Sequence, residues 1–286
     1  MKLKQVASPI LCVFALAVVL AAANLADVQT SVEPAHFHHV RLNVTDPDET
    51  IAFYTKLLGA VEVQYHGQAP GLFTERSFLL LNKVDEPPPY LPKSAISHIG
   101  WASIDGQSDY EWLKSQGVKE LLELWTGGKN HRFDHVHLWA TDVAEMAGWF
   151  RDHLGLETQV GPQPRLQDAE NILAIRMGRV RCDNVGIVIF GRPDFDSRWW
   201  PGGSYKKEDG PEGEFQPTQG RAIDHIAFSY RDIEPVYERM RSAGVEIVEP
   251  ITRKSDVGHR SFFAMAPDKL LVEIVEARPI PESSWE

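Results

Sequence analysis

Four times the chain repeats one short phrase: His39-Val40-Arg41-Leu42, His98-Ile99-Gly100-Trp101, His135-Val136-His137-Leu138 and His225-Ile226-Ala227-Phe228. An aspartate follows seven residues after each histidine, at Asp46, Asp105, Asp142 and Asp232. A glycine then closes each stretch, at Gly59, Gly117, Gly155 and Gly244, which lie 20, 19, 20 and 19 residues from their histidines. This register describes a strand, a helix cap, a helix and a stop. The aspartate accepts hydrogen bonds from the first unpaired helical amides, and the glycine takes the left-handed conformation just past the end. Pro47, directly after Asp46, suits the first helical position. Ile51, Phe53, Tyr54, Leu57 and Leu58 in the first helix, and Met146, Trp149, Phe150 and Leu154 in the third, recur at helical spacing and are expected in the core.

After each glycine a further strand begins, as in Val61-Glu62-Val63, Thr158-Gln159-Val160 and Val245-Glu246-Ile247-Val248. More strand-like runs follow in the first, third and fourth units at Ser77–Val84, Val185–Phe190 and Ser261–Ile274. The repeating unit is therefore β-α-β-β-β, and the fold class is α+β. The alternation of the two spacings predicts that consecutive units pair into two domains, one over 36–128 and the other over 132–279. Only 37 residues separate His98 from His135, so the second unit is truncated. Pro-rich Glu86–Tyr90 joins the first two units, and a Gly/Pro-rich insert over 191–220 joins the last two. Trp199 and Trp200 within that insert are candidates for an aromatic lid.

The first residues stand apart from this pattern. A basic start, Met1–Lys4, an apolar run, Ile10–Ala23, and the small residues Ala21–Ala23 predict a secretory signal peptide over 1–23, and hence a secreted or periplasmic protein with no stable membrane insertion after cleavage. Removing that segment leaves one cysteine, Cys182, so the mature chain can form no internal disulfide. With 29 basic against 40 acidic residues, the formal charge of −11 excludes a phosphate-backbone partner, and so nucleic acid.

Glu273 is the anomaly, an acid within the apolar strand Leu270–Val275 near the C-terminus. Buried alone it would cost several kcal/mol, so a cation or a set of donors is expected to hold it. His135 and His225 occupy equivalent repeat positions, and two imidazoles with one carboxylate make a facial metal triad. His137 follows His135 by two residues, which on a regular strand puts both on one face. It is a candidate catalytic base, as is His259 near the start of the last hairpin. His39 and His98 are expected to be structural, because Ser77–Val84 supplies the first domain with no carboxylate.

These residues together resemble the vicinal oxygen chelate superfamily, which includes glyoxalase I, type I extradiol dioxygenases, fosfomycin-resistance proteins and bleomycin-binding proteins. The resemblance runs from His36 to Arg278 and implies paired modules forming curved, incomplete barrels. It implies one divalent ion (Fe2+, Mn2+, Zn2+ or Ni2+) on His135, His225 and Glu273, with a small-molecule substrate chelated through vicinal oxygens and the possibility of a homo-oligomer. In the third unit the position opposite Glu273 aligns with Ile187, so three protein ligands are implied, the number found in extradiol dioxygenases, rather than the four common in glyoxalase I. Two departures stand out: Phe263 occupies the place of a family tyrosine, and Lys269 that of a family glycine after Pro267. A dioxygenase-like enzyme is the leading reading. A glyoxalase-like isomerase or lyase and a non-catalytic binder of small molecules are the alternatives.

Overall fold

A computed structural model of the chain describes residues 33–88, 94–103, 105–118, 125–126, 132–162, 176–182, 185–191, 214–254 and 258–277. Residues 1–23, expected to form a signal peptide, Trp199, Trp200 and most of the 191–220 insert lie outside the described residues.

Each repeat begins with a strand and a capped helix. In the first unit β1 (His36–Val44) leads to Asp46, whose carboxylate accepts from the Glu49 amide. Helix α1 (Pro47–Leu58) stops at Gly59, whose φ of 68° is left-handed. The third unit repeats this with β7 (Arg132–Ala140), Asp142 capping Ala144 and Glu145, and α3 (Val143–Leu154) ending at Gly155, again at φ 68°. In the second unit β5 (Ile96–Ser103) precedes α2 (Gly106–Ser115), which Asp105 caps through Ser108. The fourth has β11 (Ile223–Tyr230) and α4 (Glu234–Ser242), with Asp232 accepting from the Glu234 amide at 3.1 Å. In these two units one residue, Gln116 or Ala243, lies between the helix and its glycine.

The remaining strands are β2 (Val61–Tyr65), β3 (Ala69–Phe73) and β4 (Phe78–Lys83) in the first unit and β6 (Trp125–Thr126) in the second. The third adds β8 (Glu157–Pro162), β9 (Arg176–Arg181) and β10 (Gly186–Gly191), and the fourth β12 (Ile247–Arg253), β13 (Arg260–Ala266) and β14 (Leu270–Glu276). They assemble into an eight-stranded sheet, ordered β12-β13-β14-β11-β1-β4-β3-β2, and a six-stranded sheet, ordered β6-β5-β7-β10-β9-β8. Both have free edges, so neither closes into a barrel.

This topology corrects the expected pairing. The first unit joins the fourth, through the antiparallel β1–β11 pair, and the second joins the third, through β5–β7. Each sheet still combines a unit of the longer spacing with one of the shorter. The truncated second unit contributes only β5 and β6 among the described residues, and its leading strand turns straight onto its sequence neighbour. The first and last units are left to find each other.

From Pro34 onward the chain forms one unit with a shared core. Phe37 of β1 meets Phe133 of β7 at 6.0 Å between ring centroids and Phe228 of β11 at 5.5 Å, while Phe150 of α3 meets Phe228 at 5.9 Å. All four rings are fully buried, and burying such a ring contributes roughly 1.5–3 kcal/mol. Polar ties cross the same boundary. The Tyr230 hydroxyl donates to the Leu154 carbonyl at 3.0 Å, and Asp268 accepts from both the amide and the hydroxyl of Thr141, at 2.7 and 2.6 Å.

Candidate metal centre

Glu273 is buried in β14, one strand from β11 and two from β1, and three imidazoles converge on it. His225 Nε2 and His39 Nε2 lie 3.1 and 3.2 Å from its Oε2, and His259 Nε2 lies 3.2 Å from its Oε1. Sheet register explains the first two contacts, since Glu273 pairs with Ala227 in β11, two residues beyond His225, and Ala227 in turn faces His39. His259 enters from the turn before β13.

A bulge supplies a fourth ring. Phe37 faces Phe228 and His39 faces the next residue, Ala227, so His38 is an extra residue in β1. Adjacent strand residues ordinarily point to opposite faces, whereas a bulge re-aims them. Here Phe37 stays in the core while His38 and His39 sit side by side, their Nδ1 atoms 2.7 Å apart. His38 Nε2 is 3.0 Å from the hydroxyl of Tyr65 in β2, which lies 3.4 Å from His259 Nδ1.

The electrostatics favour an ionised Glu273. Burial alone would push its pKa up, but hydrogen bonds from His225, His259 and His39 outweigh that and hold the carboxyl well below its usual range. Burial pulls His39 down to about 4, against the raising effect of Glu273. His225 goes the other way: burial lowers it, but hydrogen bonds to Asp224 and Glu273 prevail and raise it. Asp224 Oδ1 lies 2.7 Å from His225 Nδ1. Its Oδ2 accepts from the Gly220 amide at 2.6 Å and from Asn43 Nδ2 at 3.1 Å, which fixes the His225 ring with Nε2 toward Glu273. A second carboxylate behind a ligating imidazole is the usual way of orienting such a ring.

The donor set fits a divalent ion. Two atoms sharing an ion at about 2.1 Å, at tetrahedral or octahedral angles, stand about 3.0–3.4 Å apart. The 3.1 and 3.2 Å separations fall in that interval, and the ligand atoms of His39, His225 and Glu273 all lie within 4.8 Å of one another. The other acidic cluster, Asp232, Glu234 and Glu276, is largely exposed, and Arg260 is ion-paired with both Glu234 and Glu276.

The structure thus brings His225, Glu273 and His259 together and places His135 and His137 elsewhere. Both lie on β7 in the six-stranded sheet, and the place expected for His135 is taken by His39, which sequence reasoning had set aside as structural. In that sheet the register of His137 against Val188 makes Val188, not Ile187, the counterpart of Glu273. The counterpart in the first unit is Leu80, paired with Arg41 as Glu273 is with Ala227. Glu273 is therefore the single acid among these equivalent positions.

His98, His135 and His137 form a second histidine cluster, in which Asp134 Oδ2 lies 3.0 Å from His135 Nδ1 but, among the described residues, no carboxylate meets His98 or His137. His98 and His137 stack at 4.6 Å between centroids, and among the described residues neither ring nitrogen of His137 has a hydrogen-bond partner. Burial, with His98 and His135 beside it, drives His137 down to about 2, and burial with His135 drives His98 to about 4.

His38 and Tyr65 were missed from the sequence. The adjacent pair His38-His39 is the available signal, but only the bulge, which depends on the partner strand, turns both rings to the same side. Phe263, lacking a hydroxyl, faces Glu273 across β13–β14 and meets the His225 ring edge-on at 5.0 Å, so it forms an apolar wall. Lys269, where a glycine was expected, has a left-handed φ of 59°.

Paired βαβββ modules, curved open sheets and a buried histidine–carboxylate cluster define a recognisable class. The chain belongs to the Glyoxalase/Bleomycin resistance protein/Dioxygenase superfamily, whose family model matches residues 36–134 and 132–274. It is 24% identical over 132 residues to 4-hydroxyphenylpyruvate dioxygenase of Tetrahymena thermophila, a match covering 46% of this chain and 30% of that protein. The chain therefore spans under a third of the length of that curated relative. Among solved structures it is similar to glyoxalase I from Zea mays, with a TM-score of 0.61 at 15% identity, covering 85% of this chain and 92% of that one. A candidate dioxygenase from Bacillus subtilis gives a TM-score of 0.54 at 15% identity, covering 84% of each chain. Both likenesses concern the fold.

Proposed function

We propose that the chain is a divalent-metal-dependent enzyme of dioxygenase type, acting on a small substrate chelated through vicinal oxygens. The observation that carries this reading is the set His39, His225 and Glu273, two imidazoles and one carboxylate with no second acid at the equivalent Leu80. A two-histidine, one-carboxylate face leaves several positions of an ion open to substrate and oxygen, which is the arrangement of non-haem iron oxygenases. A bound ion would supply Lewis acidity to the substrate oxygens and, if iron, oxygen activation.

The chain's own residues do the rest. Asp224 holds the His225 ring, His259 engages the carboxylate oxygen that His39 and His225 leave, and Phe263 keeps one side of the ligand set apolar. Such surroundings strengthen every charge interaction inside them. The likeness to 4-hydroxyphenylpyruvate dioxygenase supports oxygen chemistry over isomerisation, as does the single carboxylate.

The test is metal analysis of the purified protein, followed by oxygen uptake with catechols and 2-oxo acids. The proposal expects about one divalent ion per chain, lost in His225→Ala and in Glu273→Ala. Metal-free protein with full ligand binding, unchanged by those substitutions, would make the chain a binding protein instead. The basic start and the apolar run of the first 23 residues support a location outside the cytoplasm, and a mature N-terminus near Asn24, read by mass spectrometry, tests it.

A further inference from the structure

Five contacts close a ring through the site: Glu273 to His39, His39 to His38, His38 to Tyr65, Tyr65 to His259, and His259 back to Glu273. All five side chains are more than nine-tenths buried. A neutral imidazole carries one hydrogen and one lone pair, a tyrosine hydroxyl donates one hydrogen, and an ionised carboxylate only accepts. Three rings and one hydroxyl supply four hydrogens to five contacts. One contact must go without.

Ligation decides which. A histidine holding an ion through Nε2 has its hydrogen on Nδ1. His39 Nδ1 then donates to His38 Nδ1, which obliges His38 to carry its own hydrogen on Nε2 and donate to the Tyr65 oxygen. The Tyr65 hydroxyl is left to donate to His259 Nδ1, and His259 Nε2 donates to Glu273 Oε1. Every donor meets an acceptor, and the contact without a hydrogen is the one between His39 Nε2 and Glu273, where both atoms face the ion.

We propose that His38 and Tyr65 are positioning residues which, by relaying one hydrogen-bond direction from His39 to His259, hold His39 as a metal ligand and His259 as a donor to Glu273. The proposal rests on the metal reading above. It also explains why His259, although as close to the carboxylate as His39, is not a fourth ligand: its Nε2 carries the hydrogen. The reverse direction would exchange the two roles.

Zinc provides a diamagnetic probe. In the zinc-loaded full chain, ring-nitrogen NMR should show His39 with hydrogen on Nδ1 and His38 and His259 with hydrogen on Nε2. Tyr65→Phe removes the hydroxyl that accepts from His38 and donates to His259, so His259 should lose its single tautomer. Zinc affinity should also fall, though by less than the roughly 10–100-fold that follows loss of a ligand's direct outer-shell partner, because Tyr65 reaches the ligand His39 only through His38. His38 with its hydrogen on Nδ1 in the zinc-loaded wild type would overturn the proposal without any variant. So would Tyr65→Phe with unchanged zinc affinity and an unchanged His259 tautomer. The metal reading fails differently: zinc then does not bind, or binds equally well in His225→Ala, and the relay falls with it.

Discussion

Replacing His137 with phenylalanine separates the acid response of the six-stranded sheet from that of the cluster around Glu273. The folded chain holds His137 down to about 2, through burial and the nearby His98 and His135, whereas an unfolded chain titrates it near 6.5. The folded value lies below the unfolded one, so stability is fully present above about pH 6.5 and declines as the pH falls from there toward the folded value. Each pH unit in that window costs about 1.4 kcal/mol per histidine, so His137 alone removes about 2 kcal/mol between pH 6.5 and pH 5. His98, held at about 4, adds a similar loss. In His137→Phe the first contribution disappears and the second remains.

At about pH 8 the substitution should be close to neutral. Both His137 ring nitrogens lack partners among the described residues, so removing them relieves a cost of about 1–3 kcal/mol, offset by the strain of a larger ring against Trp139, Phe190 and His98. Urea unfolding of both proteins at about pH 8, 6.5 and 5 reads the difference, and the variant should gain about 2 kcal/mol relative to wild type at the lowest value. Contributions from His38 and His39 are common to both proteins and cancel. A difference independent of pH would refute the assignment of acid sensitivity to His137. A loss of several kcal/mol at about pH 8 would show that its nitrogens are satisfied after all.

Two further substitutions test backbone and packing. Lys269→Gly should stabilise the chain by up to about 1 kcal/mol in thermal unfolding, since a left-handed lysine costs about 1–2 kcal/mol and its exposed pair with Glu214 returns little; a lower melting temperature would count against the turn geometry. In Gly100→Ala the new Cβ would fall onto the His135 imidazole, so that ring must move. Ring NMR should show His135 displaced while metal binding at His39, His225 and Glu273 stays intact, and loss of that binding would show that the two sheets are coupled.

The repeat of histidine, aspartate and glycine determined the strand–helix units, their caps and their ends, because these depend on residues a few positions apart. It also marked Glu273 as an acid that needed partners, and His225 and His259 were found from local position. Which histidine would complete the set was not local information. The four leading strands carry nearly the same phrase, so His39 and His135 are interchangeable by pattern, and strand pairing across nearly the whole chain made the choice. The truncated second unit pairs with the third, leaving β1 to meet β11 and bring His39 to Glu273 while His135 stays in the other sheet. The bulge that turns His38 toward Tyr65 arises from that same pairing, since an extra residue exists only relative to a partner strand. Short-range chemistry is written in the chain, whereas contacts between distant strands are settled by which edges find each other around a shared core.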